Sequence, residues 1–250
     1  EAIADTAVKA LKKEAHLTPK PGLVDENDCG AHRDMDIELL DRSAECLRKY
    51  FRDAAIISAT HEAPADELIK AGREAECVML EQTRGINTHR GAIYAFGLMA
   101  AAYARRLVSG DDIADTVRSI AGLTAGSSTH AGKAASAYGA RGARDEALAG
   151  YPCAFRAYEY MESGGDELGA LMTVMAELDD TNLYHRGGAE GVAIARETAR
   201  RALCLSGTAR RDFLAMANDM FIKNNLSPGG SADMLALAIF IHDMTTREKY

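Results

Sequence analysis

Hydrophobic residues recur along most of the chain at the spacing of an amphipathic helix. The clearest stripe follows the pattern i, i+3, i+4, i+7, i+8 and consists of Phe213, Met216, Ala217, Met220 and Phe221. Similar stripes lie within residues 3–11, 40–54 and 168–175. Each stripe predicts a helix that buries one face, so the chain is predicted to consist of helices packed on one another.

Two segments, residues 92–103 and 234–241, are apolar on every side, which is typical of helices at the centre of a bundle. The apolar run that includes the first segment is too short to cross a bilayer. Strand signals are weak, and the five prolines all lie between predicted helices. We therefore predict an all-α fold. It is a single domain over residues 1–250, a bundle of about ten helices with active-site loops at the helix junctions.

The composition narrows the class of protein. Of the 250 residues, 47% are hydrophobic and 26% are charged, which excludes a disordered chain. The net charge of −8 disfavours a general nucleic-acid binder. The five cysteines are widely spaced without a Cys-x-x-Cys pair, which argues for a reducing compartment and against a zinc site. We expect a cytoplasmic protein that binds neither nucleic acid nor membrane, and no secretory leader is recognisable.

Glycine and polar residues cluster at five junctions between the predicted helices. The first junction, residues 18–36, contains Asp34 and Asp36. This pair could hold a divalent cation or supply a general base. Aspartate also caps helices, and the pair alone favours capping.

The second and third junctions carry basic residues. His89 and Arg90 precede the first all-apolar segment, where backbone amides would point at an anion and the two side chains would add charge. A capped helix explains this cluster equally well. In the third junction Arg141 and Arg144 share one face if the segment is helical, and arginine grips phosphates through its planar fork. A surface ion-pair network is the simpler interpretation there.

The fourth and fifth junctions favour a functional interpretation. Asp179 and Asp180 are adjacent carboxylates of the kind that suits Mg²⁺, with a helix cap as the alternative. The fifth junction, residues 227–233, places a Pro-Gly-Gly-Ser loop directly before the second all-apolar segment. Such a loop is predicted to cradle an anion at a helix N-terminus, with two glycines that permit positive φ and Ser231 as the N-cap.

Taken in order, these junctions resemble the triphosphoribosyl-dephospho-CoA synthase family. The matching strings are TPKPGLVD, GAHRDMD, GINTHRGAI, GARDEALAGYP, DTN followed by RGG, and NLSPGGSADMLA. They extend from residue 18 to residue 236 and so cover most of the chain. The first and last strings are the most specific.

The resemblance implies an unusual reaction. ATP would serve as a ribosyl donor, and the 2′-hydroxyl of 3′-dephospho-CoA would receive the 5-triphosphoribosyl group while adenine leaves. The product would be the prosthetic-group precursor of citrate lyase or malonate decarboxylase, passed on to a transferase that modifies an acyl carrier protein. Cleavage at an anomeric carbon develops oxocarbenium character, which a carboxylate stabilises. Mg²⁺ is the expected cofactor, because the triphosphate needs a cation.

The resemblance also suggests roles for particular residues. The catalytic candidates are Asp34, Asp36 and Asp180, with Asp25 and Asp233 as weaker candidates for the base. The metal-ligand candidates are Asp36, Asp179 and Asp180. The phosphate-binding candidates are Lys20, His89, Arg90, Arg144, Arg186, Ser227, Gly229, Gly230 and Ser231. Whether the 227–233 loop holds the triphosphate or the CoA diphosphate is left open.

Three alternatives follow from the same residues. Water as acceptor would make the protein an ATP nucleosidase, and another acceptor would make it a different ribosyltransferase. A non-catalytic nucleotide- or CoA-binding module would use the same loops without turnover. The chain is also compatible with a homodimer.

Overall fold

The structure is a computed structural model that describes residues 1–61, 64–123 and 142–248, and within these ranges it contains helices and no strands. The predicted all-α fold is confirmed. None of the described helices is long and apolar enough to cross a membrane. The helices are α1 (Ala2–His16), α2 (Ile37–Cys46), α3 (Arg48–Thr60), α4 (Ala65–Gln82), α5 (Arg90–Ser109), α6 (Ile113–Leu123), α7 (Ala143–Leu148), α8 (Pro152–Glu162), α9 (Glu167–Glu177), α10 (Thr181–Leu203), α11 (Gly207–Lys223) and α12 (Gly229–Glu248).

Helices α5 and α12 form the centre of the bundle, as their all-round hydrophobicity predicts. Residues 92–104 of α5 are buried apart from one tyrosine, and residues 234–241 of α12 are all buried. The ring centroid of Phe96 in α5 lies 5.5 Å from that of Phe51 in α3 and 5.6 Å from that of Phe240 in α12. Because each buried ring contributes roughly 1.5–3 kcal/mol, this aromatic row joins three helices into a single core.

The remaining helices cover this centre. Helix α3 packs on α5, while α1, α8 and α9 pack on α12, and α11 lies at the periphery against α10. The hydrophobic stripe of residues 40–54 is divided between α2 and α3 at Leu47, which is itself fully buried. The stripe therefore keeps its apolar face across a break in the helix.

The segment between α1 and α2 is organised by Asp25, whose side chain is only 4% exposed. Its Oδ2 accepts hydrogen bonds from the hydroxyl of Thr18 and the backbone N–H of Lys20, both at 2.9 Å. Its Oδ1 accepts from the N–H groups of Asn27 and Asp28 at 2.7 and 3.2 Å. With both oxygens in use, Asp25 holds the loop together and has no free position for a substrate proton.

Three helices begin at the same end of the bundle. The first turns of α5 and α12 meet where Gly91 faces Asp233, and further along the hydroxyl of Tyr103 donates to a backbone carbonyl of α12. These two helices therefore run in the same direction. Helix α10 begins beside them, because Asp180 at its N-terminus bonds Ser231 in the first turn of α12. Three helix dipoles thus direct their positive ends towards one region.

Candidate functional site

Asp180 joins two of these helix N-termini. Its Oδ1 accepts hydrogen bonds from the backbone N–H groups of Asn182 and Leu183 at 3.0 and 3.4 Å, which caps α10. Its Oδ2 accepts from both the N–H and the hydroxyl of Ser231 at 2.7 and 2.9 Å. Burial raises the pKa of this carboxyl, and the four hydrogen bonds oppose that shift. Asp180 is thus the N-cap residue of its own helix α10, and it also accepts hydrogen bonds from the first turn of α12. A metal ion bound by Asp180 would have to replace some of these hydrogen bonds.

The glycine pair at the start of α12 has a different role from the predicted one. Neither Gly229 nor Gly230 has positive φ. The absence of side chains at these two positions instead makes room for the start of α10. A Cβ at Gly229 would lie 2.5 Å from the side-chain nitrogen Nδ2 of Asn182, and one at Gly230 would lie 3.1 Å from Cγ of Asp180. Ser231 is not the N-cap, because α12 begins two residues earlier and its cap is supplied by Asp180. Among the described residues the N–H groups of Gly229 and Gly230 have no acceptor, so they are available to a ligand.

Asp233 is the second carboxylate at this end of the bundle. Its Oδ2 approaches Gly91 so closely that any Cβ there would collide with it. Within the described ranges the half-buried Asp233 side chain has no hydrogen-bond or ion-pair partner. Burial, together with the charges of Glu14 and Asp180, raises its pKa well above the ordinary value. A carboxyl in such a setting is typical of a functional group.

His89 lies just before α5 and is 6% exposed. Its Nδ1 is 2.8 Å from the hydroxyl of Ser43, which in turn is 2.6 Å from the hydroxyl of Thr88. Burial, reinforced by the charge of Lys20, lowers the pKa of His89 to about 4. The ring is neutral near pH 7, so the structure contradicts the positive charge predicted for it. A neutral imidazole offers a phosphate at most a hydrogen bond.

Lys20 is also enclosed, with 1% of its side chain exposed. Its ammonium donates to the backbone oxygen of Glu14 at 2.7 Å and to the Glu14 carboxylate at 2.6 Å. Breaking a buried pair of this kind is costly, about 3–5 kcal/mol. The structure therefore gives Lys20 a role inside the bundle, and direct contact with a phosphate stays a prediction.

Arg186, His32 and Ser227 form a chain of hydrogen bonds beside the glycine pair. Arg186 lies in α10 just before Gly188, whose φ of 60° interrupts the helix. The guanidinium donates to the carbonyl of Ala31 at 3.0 Å and lies 3.2 Å from Nδ1 of His32. Nε2 of His32 lies 2.8 Å from the hydroxyl of Ser227. The predicted phosphate ligands Arg186 and Ser227 are thus brought together by a histidine.

The other predicted carboxylates lie around this centre. Asp36 is exposed and caps α2, with Oδ1 accepting from the N–H of Leu39 at 2.8 Å. Asp34 is 61% exposed, and its Oδ1 lies 3.8 Å from Nδ1 of His32. Asp179 pairs with Arg196 at 2.7 Å, which directs it away from its neighbour Asp180.

The remaining predicted arginines are at the surface. Arg90 begins α5 and pairs with Glu76 at 2.5 Å. Arg144 is exposed on α7, which starts beside α10 because Gly142 lies against Thr181. Arg141 and the Thr-His-Ala-Gly stretch from residue 129 lie outside the described residues.

The carboxylates of the described residues suit Mg²⁺ that arrives with a phosphate substrate. Across the described ranges no three His, Cys, Asp or Glu side chains come together in a way that could hold a metal. Asp36 uses one oxygen for capping and keeps the other, and Asp34 is exposed. Mg²⁺ in proteins commonly relies on one or two carboxylates plus substrate phosphates and water, which is the arrangement these residues allow.

Four residues of this region were missed by sequence reasoning. Glu14, Ser43 and His32 occur at helical or loop positions that look like ordinary polar surface, and only packing shows that they are enclosed. Tyr151 did carry a sequence signal, since it lies between a glycine and a proline. In the structure it adopts a φ of 57°. Its hydroxyl is buried without a hydrogen-bond partner among the described residues, and burial raises its pKa well above the ordinary value, with smaller contributions from nearby groups that include Asp233.

The described residues form an all-helical protein in which the N–H groups at one helix N-terminus and a neighbouring carboxylate have no partner among them. Over residues 1–250 the chain matches the family model described as ATP:dephospho-CoA triphosphoribosyl transferase, and it belongs to that family.

Curated relatives bear the name probable 2-(5''-triphosphoribosyl)-3'-dephosphocoenzyme-A synthase. The one from Pseudomonas paraeruginosa is 39% identical over 96% of this chain and 90% of its own length. The one from Azotobacter vinelandii is 38% identical over the same shares. A synthase from Salmonella typhi is 37% identical over 93% of this chain and 87% of its own length. No solved structure shows significant similarity to the chain.

Proposed function

We propose that this protein transfers the 5-triphosphoribosyl group of ATP to the 2′-hydroxyl of 3′-dephospho-CoA. The bond between C1′ and adenine breaks, a bond forms between C1′ and the acceptor oxygen, and the proton lost by the hydroxyl balances the one gained by adenine. Membership of the family supports this reaction. The structural observation that carries it is the unpartnered carboxylate of Asp233 beside the free N-terminal amides of α12.

The phosphates are held at the start of α12. The N–H groups of Gly229 and Gly230, which have no acceptor among the described residues, and the hydroxyl of Ser227 all lie within residues 227–230, at the positive end of the helix dipole. Arg186 supplies a fixed positive charge beside this loop, through its contact with His32. These groups would bind a triphosphate or a CoA diphosphate through the same chemistry.

Asp233 handles the proton. A carboxyl whose pKa is raised by burial and by neighbouring carboxylates is a stronger base than an exposed aspartate, so it suits removal of the acceptor hydroxyl proton. The same negative charge favours the cationic character that develops at C1′. The sequence ranks Asp34 and Asp36 above Asp233 for this role, and the exposure of the first two now supports the opposite order.

Mg²⁺ accompanies the triphosphate and neutralises part of its charge. Asp34 or Asp36 is the carboxylate that would complete its ligands, since Asp180 is fully hydrogen-bonded and Asp179 is paired. The product would serve as the prosthetic-group precursor of a citrate lyase or malonate decarboxylase and pass to a transferase acting on the acyl carrier protein. A cytoplasmic location and a homodimer are part of the same proposal.

The decisive experiment measures free adenine by chromatography after incubation with ATP and Mg²⁺, with and without dephospho-CoA. The proposal is supported if adenine is released only with dephospho-CoA and if mass spectrometry finds a product with the combined mass of dephospho-CoA and the triphosphoribosyl group. Adenine without an acceptor would indicate a nucleosidase, and tight binding of both nucleotides without turnover would indicate a binding module. Removing Mg²⁺ with EDTA is expected to stop release, and adding excess Mg²⁺ to restore it.

A further inference from the structure

The hydrogen bonds of His32 fix its tautomer. An arginine guanidinium carries only donors, so Nδ1 of His32 must accept the bond from Arg186 at 3.2 Å. The neutral ring then carries its proton on Nε2. Nε2 therefore donates to the hydroxyl oxygen of Ser227 at 2.8 Å.

The other hydrogen bonds of Arg186 keep its guanidinium in place as a donor to His32. Besides His32, the guanidinium donates to the carbonyl of Ala31 at 3.0 Å and to the side-chain oxygen of Asn225 at 2.9 Å. These acceptors lie in the loops before α2 and before α12, so the guanidinium is tied on both sides.

The hydroxyl of Ser227 consequently has a proton to give. Its oxygen already receives the bond from His32, the side chain is 2% exposed, and its O–H has no acceptor among the described residues. Buried hydroxyl groups are rarely left without an acceptor. The next groups along the chain, the N–H groups of Gly229 and Gly230, are donors without acceptors as well. The loop is therefore an array of donors that lacks an acceptor.

A serine beside a histidine often acts as a nucleophile, but the tautomer excludes that role here. A base must accept the serine proton, whereas Nε2 of His32 already carries one and Nδ1 is occupied by Arg186. The carboxylate of Asp34 is 61% exposed and lies 3.8 Å from Nδ1, beyond hydrogen-bond distance, so it does not replace Arg186 as the partner of that nitrogen. In this chain Arg186 donates a hydrogen bond to His32, and His32 donates one to Ser227, so each group fixes the direction of the next hydrogen bond.

We propose that His32 is a positioning residue that turns the Ser227 hydroxyl outwards, so that it donates to a phosphate oxygen of the substrate together with the Gly229 and Gly230 amides. The proposal rests on the proposed function for the identity of the substrate. The phosphate could belong to the triphosphate of ATP or to the diphosphate of dephospho-CoA. Both offer the same acceptor oxygens.

The test uses two substitutions of similar shape and opposite hydrogen-bond direction. In His32→Gln the amide can accept from Arg186 and donate to Ser227, as the histidine does. In His32→Glu both carboxylate oxygens accept, so the Ser227 hydroxyl must turn inwards. Dissociation constants are measured by calorimetry for tripolyphosphate and, separately, for dephospho-CoA, which distinguishes the two sources of phosphate.

We expect His32→Gln to stay within about threefold of the wild type, and His32→Glu and His32→Ala to bind one of the two probes about tenfold more weakly, the loss expected for one hydrogen bond to a charged group. In a Ser227→Ala background, His32→Ala should cause no further loss. Equal weakening by Gln and Ala, or additive losses in the double variant, would overturn the proposal. Thermal melting identifies any variant that fails to fold, and the Ser227→Ala background then provides the test.

The outcome is separable from that of the proposed function. If the wild type releases no adenine but the Gln and Glu variants differ in tripolyphosphate binding as expected, the transferase proposal fails and the positioning role stands. If adenine is released and the binding pattern is absent, the reverse holds. In an active enzyme, His32→Glu should raise KM for the substrate held by the loop more than it lowers kcat.

Discussion

The N-terminus of α10 and the first turn of α12 each place an aspartate at the same end of the bundle, and the two carboxylates are in opposite situations. Asp180 accepts four hydrogen bonds and is 1% exposed. Asp233 has no partner within the described residues and lies against Gly91. The carboxylate of Asp180 uses its lone pairs to fix two helices, whereas that of Asp233 accepts no hydrogen bond from the described residues.

The electrostatics follow the same division. Burial raises the pKa of both groups, but hydrogen bonds oppose the shift at Asp180, whereas the charges of Glu14 and Asp180 add to it at Asp233. The fold therefore holds Asp233 in a setting that costs stability. Such a cost is expected at a functional position and is hard to explain at a structural one.

The largest expected effect is that of Asp233→Asn on turnover. Loss of a base that acts in the transition state lowers kcat by about 10²–10⁴-fold. Stability should be unchanged or higher, because the substitution replaces a carboxyl whose pKa is raised by burial and by the charges of Glu14 and Asp180. Adenine release with saturating ATP and dephospho-CoA measures the first quantity, and urea unfolding measures the second.

The matched control is Asp219→Asn on α11, which removes an exposed carboxylate outside the first turns of α5, α10 and α12. It should leave both turnover and stability unchanged. Turnover of Asp233→Asn within a few fold of the control would show that Asp233 is not the base and would return Asp34 and Asp36 to first place.

The next effect is that of Asp180→Asn on stability. The amide can accept with only one end, so at least one N–H or O–H donor from Ser231 or from the first turn of α10 loses its acceptor inside the protein. We expect a loss of about 2–4 kcal/mol in the free energy of unfolding. Ser231→Ala removes one of the four hydrogen bonds and should cost about 1 kcal/mol. If Asp180→Asn unfolds like the wild type but has lost Mg²⁺-dependent activity, Asp180 is a metal ligand as the sequence first suggested.

The sequence predicts the fold well because the fold depends on periodicity. Residues 92–103 and 234–241 read as central helices, and both are central. The sequence also predicts a site at the helix junctions and names Ser227, Gly229 and Gly230 as candidates, because a Pro-Gly-Gly-Ser loop before an apolar helix can cradle an anion. That role stays a prediction. Charge and glycine content are local properties that the sequence shows directly.

What the sequence cannot show is which polar groups bond to one another. Asp180 and Ser231 are 51 positions apart, and their hydrogen bonds turn a predicted metal ligand into a cap for two helices. From the sequence alone, Lys20 and His89 read as exposed cations. In the structure Lys20 is paired with Glu14, and burial keeps His89 neutral. The ranking of Asp233 below Asp34 had the same cause, since availability of a carboxylate depends on long-range packing.

The pH dependence of stability separates His89 from the two aspartates. The pKa of His89 falls from 6.5 to about 4 on folding, so the unfolded chain binds a proton that the native protein does not, and stability is lost as the pH falls below about 6.5. The raised pKa values of Asp180 and Asp233 act in the opposite direction, since their contribution is lost as the pH rises. His89→Asn isolates the first contribution.

Between pH 7.5 and pH 5 the wild type should lose about 2 kcal/mol relative to His89→Asn, as measured by urea unfolding at each pH. Parallel pH profiles for the two proteins would mean that His89 titrates normally in the native state. Its predicted role as a charged phosphate ligand would then be open again.

The smallest effect compares two glycine-to-alanine substitutions, one beside each carboxylate. A methyl group at Gly91 collides with Oδ2 of Asp233, and one at Gly230 would lie 3.1 Å from Cγ of Asp180. Gly91→Ala should displace the free carboxylate at little structural cost, because nothing else holds it, and lower kcat by about tenfold. Gly230→Ala presses on a carboxylate fixed by four hydrogen bonds and should reduce the free energy of unfolding by about 1–2 kcal/mol. Adenine release and urea unfolding are measured for both variants, so that the effect of each substitution on turnover can be compared with its effect on stability. An exchange of the two phenotypes would mean that Asp180 serves the reaction and Asp233 the fold.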